Sequence, residues 1–299
     1  MRILVAGWHG QVAIALSEAA TKRDDIEAYA VGRPALDLTD RPAIGRTLFG
    51  ITPDVIINTA AYTDVDGAER EPHLAARRNS EGAAALARQA AQIGVPIIHL
   101  STVYVFAGDK PEAYVEGDPV RPVNAYGRSK QAGEAAVASA NPRHIILRTG
   151  WVYSPFGRNF VRTILDRGAR ESDLAIDDEQ HGSPSYAPHV ATAILDIAAR
   201  VAGTTVTDAP NAPWGTYHIA DSGSARWCDL AREAFRVSGA RGGAHPVVTA
   251  RPNPAAGQAS RPRNAMLDCG KLHDVFGIRL APWQDGVRDC VDRLALNTP

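Results

Sequence analysis

The stretch "YGRSK" places Tyr126 and Lys130 four residues apart, stacked on one face of any helix that carries them. A phenol with an ammonium group beside it becomes a stronger acid, because the cation favours the phenolate, and such a tyrosine can donate a proton to a ketone. With 8 Tyr and 4 Lys in 299 residues, chance produces this pair about one time in ten. The other basic residues argue for chemistry: 28 are Arg, and a guanidinium cannot replace a compact ammonium that must reach both a ribose and a phenol. Upstream, the apolar run "IIHLSTVYVFAGD" (97–109) turns abruptly polar. Ligands of an open parallel sheet lie beyond the carboxyl ends of its strands. There Ser101 and Thr102 offer hydroxyls to the oxygen that Tyr126 protonates, and Tyr104 lines the pocket.

A dinucleotide site is expected at the N-terminus. The first strand ends in "AGWHGQVA", with Gly7, Gly10 and Ala13 at G-x-x-G-x-x-A spacing where strand gives way to helix. Glycines let the backbone approach a pyrophosphate, and the helix start adds unpaired N–H groups and a positive dipole end. His9, Gln11 and Val12 fall within this cradle and are assigned to the cofactor, His9 as a local hydrogen-bonder rather than a catalyst, as is His181 elsewhere. The second strand ends in "AVGRP". Arg33 stands where an acid would bind a ribose 2′-hydroxyl, and it suits a 2′-phosphate. The cofactor is therefore expected to be NADPH, with NADH the alternative. Asp37 and Leu38 of "LDLTD" are expected at the adenine end, while Asp40 can cap the helix starting near Arg41.

Positioning these groups requires a sheet. Apolar runs at 2–7, 26–31, 54–60, 96–101 and 144–149 alternate with helical patterns at 11–22, 41–49, 73–93 and 124–140. This alternation predicts an α/β fold, a doubly wound parallel sheet of Rossmann-like form, over residues 1–150. Beyond residue 150 the pattern becomes irregular around "YSPFGRNF", "EQHGSPSYAP" and "APNAPWG", with helices at 189–202 and 227–239. Residues 151–299 are read mainly as a smaller substrate-binding cap, with segments around 185–220 returning to the first domain. The stretch 242–264 is read as a long mobile loop.

Composition narrows the partners. A formal net charge of −1, with 45% hydrophobic and 22% charged residues, argues for a folded protein that binds neither nucleic acid nor anionic membranes. No signal-peptide pattern and no membrane-length apolar run is present, so a cytoplasmic location is expected. Cys228, Cys269 and Cys290 are widely spaced and read as free thiols. No metal site is predicted.

The motifs "GWHGQVA", "LDLTD", "IINTAAYTDVDGAE", "STVYVFAG", "YGRSKQAGE", "RTGWVYS", "DDEQHGSPSY" and "RPRNAMLD" together resemble the dTDP-4-dehydrorhamnose reductase family, a branch of the extended short-chain dehydrogenase/reductases. The resemblance runs from Gly7 to Asp268. It implies hydride transfer from a nicotinamide to C4 of a 4-keto-6-deoxyhexose on a nucleotide, most simply dTDP-4-dehydro-L-rhamnose. Tyr126 would be the proton donor, Thr102 its hydroxyl partner and Lys130 the residue that holds the ribose and tunes the tyrosine. It further implies that Asn58, Ala60, Ala61, Tyr62 and Ser101 lie along the cofactor. Trp151 would pack on the sugar, an apolar ring on a deoxysugar, with Gln180, Pro184 and Arg261 on the substrate side. The protein would be a monomer or homodimer.

Three positions depart from the pattern: Ala13 replaces a phosphate-loop glycine, and Val103 and Ala107 replace the acids of S-T-D-Y-V-F-D-G. Val103 is assigned to the substrate site and bears on which sugar is accepted. It also argues against a 4,6-dehydratase, which needs acids after the threonine. The alternatives are a sister 4-ketoreductase, a 4-epimerase, or a non-catalytic dinucleotide-binding regulatory subunit.

Overall fold

The computed structural model describes residues 1–204, 212–240, 242–243, 246–251 and 259–296. The first half runs β1 (Arg2–Ala6), α1 (Gln11–Ala20), β2 (Glu27–Val31), α2 (Arg41–Ile51), β3 (Val55–Asn58), α3 (Val65–Arg70), α4 (Pro72–Ala76), a π-helical turn (Arg77–Gly82) and α5 (Ala83–Gln92). It continues through β4 (Ile97–Thr102), a 3₁₀ turn (Val103–Val105), α6 (Ala125–Ala140) and β5 (His144–Thr149). The second half contains β6 (Val152–Tyr153), α7 (Phe160–Gly168), β7 (Asp173–Asp177), β8 (His181–Gly182), β9 (Ser185–Tyr186), α8 (Ala187–Val201), β10 (Gly215–His218), β11 (Ala225–Arg226) and α9 (Trp227–Gly239). It closes with β12 (Val247–Arg251), β13 (Asn264–Ala265), α10 (Gly270–Phe276) and α11 (Trp283–Leu296). No described helix is long and apolar enough to cross a membrane.

A six-stranded sheet of order β10-β5-β4-β3-β1-β2 forms the centre, and each of its pairings is parallel. Strand alternation decides which layer each side chain meets. Ile3, Val5, Val55, Ile57, Ile98, Ile145 and Leu147 face α1 and α8, while Leu4, Ala6, Ile56 and Ile97 face α2, α5 and α6. The same alternation sends Asn58, His99, Ser101 and Arg148 toward α6, so that layer is polar at the carboxyl end of the sheet. A second core fills the C-terminal lobe with Val161, Ile164, Leu174, Leu230, Phe235, Val287 and Val291. Strand β10 returns from this half to the edge of the main sheet beside β5.

Most expected elements form within a residue or two, with two differences. The single helix anticipated over 73–93 is divided by the π-helical turn at Arg77–Gly82. The stretch 242–264, read as a loop, contains β12, which pairs with β7 from Val247↔Asp173 to Arg251↔Asp177; residues 252–258 lie outside the described part.

The π-helical turn has a packing consequence. One extra residue widens the helix, and the Asn79 carbonyl approaches α6 so closely that a Cβ on Gly133 would lie 2.1 Å from it. Only glycine fits there without moving a helix backbone. Gly133→Ala should therefore destabilise the fold by about 1–3 kcal/mol, as overpacking of a close contact does; an unchanged urea midpoint would show that the two helices separate without penalty.

Candidate active site

A cavity of about 630 Å³ opens over the carboxyl ends of β1, β2 and β3. Its lining includes Gly7, Trp8, His9, Gly10, Arg33, Asp37, Leu38, Ala60, Ala61 and Arg78. Gly7 has φ +112°, and a Cβ there would meet the Thr59 hydroxyl at 2.6 Å, so the turn requires glycine. Gly10 is the N-cap of α1, with no side-chain cap and no heavy atom within 4 Å of where its Cβ would be. Uncapped helix N–H groups facing open space form a phosphate cradle, so these residues fit a dinucleotide. At the far end, Asp37 accepts hydrogen bonds from the Thr39 amide and hydroxyl, both at 2.8 Å. Those bonds, with Arg33 and Arg78 nearby, hold its carboxyl below the usual carboxylate range. The two guanidiniums thus converge on one end of the cavity.

The cradle's other assigned residues behave differently. The Gln11 side chain turns away from the cavity, donating to the Val152 carbonyl (3.2 Å) and accepting from the Ser154 hydroxyl (2.7 Å). Val12 packs into the sheet core, so only their backbones can serve a phosphate. Asn58 is fully buried between the Ala60 amide and His99. Tyr62 bonds Asn79 through its backbone and Glu71 through its hydroxyl.

The expected catalytic residues lie where β4 meets α6. Asn124 caps α6 by accepting from the Gly127 amide at 2.7 Å, and the helix then presents Tyr126, Lys130 and Glu134 one turn apart. The Thr102 hydroxyl accepts from the Tyr104 amide at 3.1 Å. The Tyr104 and Tyr126 rings meet edge to face at 6.1 Å. Burial pushes the Tyr126 phenol up to about 12, while the Thr102 hydroxyl beside it pulls the other way. The expectation that Lys130 makes Tyr126 a stronger acid is not met in this arrangement. Lys130 instead donates to the Leu100 carbonyl at 2.7 Å, and burial lowers its own ammonium to about 8, with Glu134 acting in the opposite sense.

Glu134 was not anticipated, although it follows Lys130 at the same helical spacing. It receives a bidentate pair from Arg148 (2.9 and 2.7 Å) and the Ser101 hydroxyl at 2.5 Å. Ser101 is thereby committed to the interior rather than to the cofactor. Both charged partners are almost fully buried.

On the expected substrate side, burial pushes the Tyr104 phenol up, with Asp66 and Asp177 acting in the same sense and Arg261 in the opposite one. The Arg261 guanidinium is held in a fork by Asp66 of α3 (3.0 and 2.8 Å), and Gln180 donates to Asp177 at 2.8 Å. Pro184 is buried in the turn between β8 and β9. Val103 is fully buried with Val105 and Phe106 and touches the backbone at Gly150; its side chain belongs to a small core, which an apolar residue fills and a carboxylate would not. Trp151, at φ +48°, stacks on Trp227 with centroids 3.6 Å apart and lies against Gly182. A ring already sandwiched in protein has little face left for a sugar. Arg78, Trp8, His99 and Trp227 carried no distinguishing sequence signal, since an Arg in an Arg-rich chain or a His within an apolar strand reads as ordinary.

A parallel Rossmann sheet with a glycine cradle, and a threonine, tyrosine and lysine gathered beyond its strand ends, defines an extended short-chain dehydrogenase/reductase; the chain is an NAD(P)-dependent oxidoreductase of that class. The family model described as the RmlD substrate binding domain matches residues 1–296. The dTDP-4-dehydrorhamnose reductase of Sinorhizobium fredii is 42% identical, over 99% of this chain and 98% of that protein. A crystal structure of a dTDP-4-dehydrorhamnose reductase from Clostridium acetobutylicum superposes with a TM-score of 0.90 at 30% identity, covering 99% of this chain and 100% of the other. A dTDP-4-dehydrorhamnose reductase from Bacillus anthracis, solved in complex with NADP, gives 0.87 at 29% identity, over 97% and 96% of the two chains. The chain belongs to the dTDP-4-dehydrorhamnose reductase family.

The Glu134–Arg148 pair allows a direct check. Glu134→Ala leaves a guanidinium buried without its carboxylate, and should lower stability by about 3–5 kcal/mol, read as a fall in the urea midpoint. A change under about 1 kcal/mol, the range of exposed pairs, would mean that water reaches Arg148.

Proposed function

We propose that this protein reduces the C4 ketone of a dTDP-4-keto-6-deoxyhexose, converting dTDP-4-dehydro-L-rhamnose to dTDP-L-rhamnose, with NADPH as the cofactor. The observation that supports this reading is the Thr102 hydroxyl bonded to Tyr126 at the end of β4, with Lys130 one turn along α6, at the same end of the sheet as the glycine cradle. The names of the full-length relatives, one solved with NADP, supply the substrate and cofactor class.

In this reading the first domain, about residues 1–150 with later segments returning to it, holds the dinucleotide, and the C-terminal lobe contributes the sugar pocket. The Gly7–Gly10 turn and the α1 amides hold the pyrophosphate, and Arg33 with Arg78 holds the 2′-phosphate. The bound nicotinamide supplies a hydride to C4. Tyr126 is protonated throughout the ordinary pH range and hands its proton to the carbonyl oxygen. Thr102 hydrogen-bonds that same oxygen and orients it. Lys130 as an ammonium holds the ribose and offsets the phenolate left behind. Tyr104, Gln180 and Arg261 line the sugar side, and Arg261 must loosen from Asp66 or present its remaining edge.

The deciding experiment mixes purified protein with NADPH and dTDP-4-dehydro-L-rhamnose, follows absorbance at the nicotinamide band and identifies the sugar by NMR. Oxidation that yields dTDP-L-rhamnose is expected; tight NADPH binding with no oxidation would overturn the substrate assignment. Tyr126→Phe should keep cofactor affinity and lose on the order of 10²–10⁴ in kcat, and normal turnover would remove Tyr126 as the acid. Arg33→Ala and Arg78→Ala should each weaken NADPH more than NADH, whereas equal effects would dismiss the 2′-phosphate role. Because the Lys130 ammonium is lost as pH rises through about 8, kcat/KM should decline above that value, and a flat profile up to pH 9.5 or so would separate turnover from the Lys130 charge.

A further inference from the structure

Lys130 is approached from the sheet by a histidine that no catalytic role requires. His99 lies at the centre of β4, fully buried, directly across from Asn58 on β3. Its Nδ1 is 3.0 Å from Asn58 Nδ2, and its Nε2 is 3.5 Å from Lys130 Nζ. The orientation of the Asn58 amide is not free. The Ala60 backbone N–H, which can only donate, lies 3.1 Å from Asn58 Oδ1, so the NH₂ must face His99. Asn58 therefore donates to Nδ1, and Nδ1 must be the bare, accepting nitrogen. Burial holds the imidazole well below its ordinary value and keeps it neutral. Its single proton then sits on Nε2, directed at the lysine nitrogen.

An N–H aimed at an amine disfavours the ammonium form and suits the neutral amine, whose lone pair accepts it. The opposing influences are all local. Glu134, one turn further along α6, favours the charge, but Arg148 of β5 engages both its oxygens. The Leu100 carbonyl accepts from Nζ. The Asn79 side chain of the π-helical turn bonds Ser129 of α6 and is neutral. Glu69 of α3 meets α6 at its first turn, at the Ala125 amide and Arg128, and Tyr104 packs on Tyr126.

We propose that His99 is a positioning residue for Lys130: locked by Asn58 with its proton on Nε2, it presents an N–H to the lysine nitrogen and sets how readily that nitrogen carries its charge. The chain Ala60 amide, Asn58, His99, Lys130 thus connects the loop after β3, on the cofactor side, to the helix that carries the proton donor. The consequence for turnover rests on the reductase reading above; the chain itself does not.

The test needs no activity to begin. ¹⁵N-histidine NMR of the native protein should find His99 with an unprotonated Nδ1 and a protonated Nε2. Only four lysines are present, so ¹³Cε-lysine NMR can follow Lys130 alone, assigned by the signal lost in Lys130→Met. In native protein its midpoint should lie near 8. His99→Asn keeps an acceptor for Asn58 but cannot reach Lys130, and should raise that midpoint by on the order of one pH unit; His99→Gln restores an N–H at the Nε2 position and should return it toward the native value. The alkaline limb of kcat/KM should move in step. A proton found on Nδ1, or an unmoved Lys130 midpoint in His99→Asn, overturns the proposal. If His99→Asn does not fold, the native tautomer and His99→Gln decide alone. Expected NMR results in a protein that reduces no 4-keto sugar would remove the reductase reading and leave this assignment intact.

Discussion

The seam between α6 and the sheet is the constraint on which the site depends. A helix that must bring Tyr126, Lys130 and Glu134 to the carboxyl end of β4 carries two charges into the interior. Charges removed from water are tolerated only when paired and hydrogen-bonded. The sheet meets this requirement with side chains from three adjacent strands. Arg148 of β5 forks onto Glu134, while Ser101 and His99 of β4 and Asn58 of β3 complete the row. Strand alternation makes the arrangement compatible with a packed sheet, because the residue before each polar one, Ile57, Ile98, Leu100 or Leu147, is apolar and points into the opposite layer. The sheet is thus hydrophobic toward α1 and α8, and hydrogen-bonded toward α6, which carries Tyr126 and Lys130.

The C-terminal lobe joins this frame through an apolar cluster of Val103, Val105 and Phe106 with Ala265 and Leu267, and through side-chain hydrogen bonds. Gln11, at the start of the phosphate-cradle helix, ties to Val152 and Ser154. Asp66 holds Arg261 and the Ala259 amide, and Asn124, the cap of α6, also bonds the Ser260 carbonyl at 2.7 Å. The segment carrying Arg261 is therefore fastened to α3 and to the start of α6. Polar fastenings of this kind exchange with water at little net change in free energy.

Much of the architecture was legible in the sequence because parallel strands buried on both faces must read as apolar runs, and because glycine spacing marks the first turn. The Tyr126–Lys130 face was legible for the same geometrical reason. What escaped was anything decided by tertiary contact. Val103 interrupts a polar motif yet packs into a core; Trp151 offers an aromatic ring but meets Trp227 instead; Lys130 is placed to acidify Tyr126 but turns to Leu100, so burial governs both groups. Gln11 and Ser101 sit at positions that face a cofactor in the linear motif, while their side chains are claimed by neighbours distant in sequence. His99 was hidden within "IIHLS", since one polar residue in an apolar strand carries no periodic signal of its own.

The π-helical turn at Arg77–Gly82 gives the chain a vernier. The turn holds one residue more than an α-helix would, and about 100° of rotation accompanies each residue. The helix on one side of it, α5, is seated by its alanines and Leu86 against the sheet, while Arg78 and Asn79 within the turn are aimed at the dinucleotide cavity and at the Tyr62 backbone. The two faces of one continuous helical run are thereby set at an angle that a regular helix of the same sequence cannot produce. Removing a single residue here would turn Arg78 and Asn79 away from the cavity and from the Tyr62 backbone, so the aim of the cavity-lining arginine depends on this one turn.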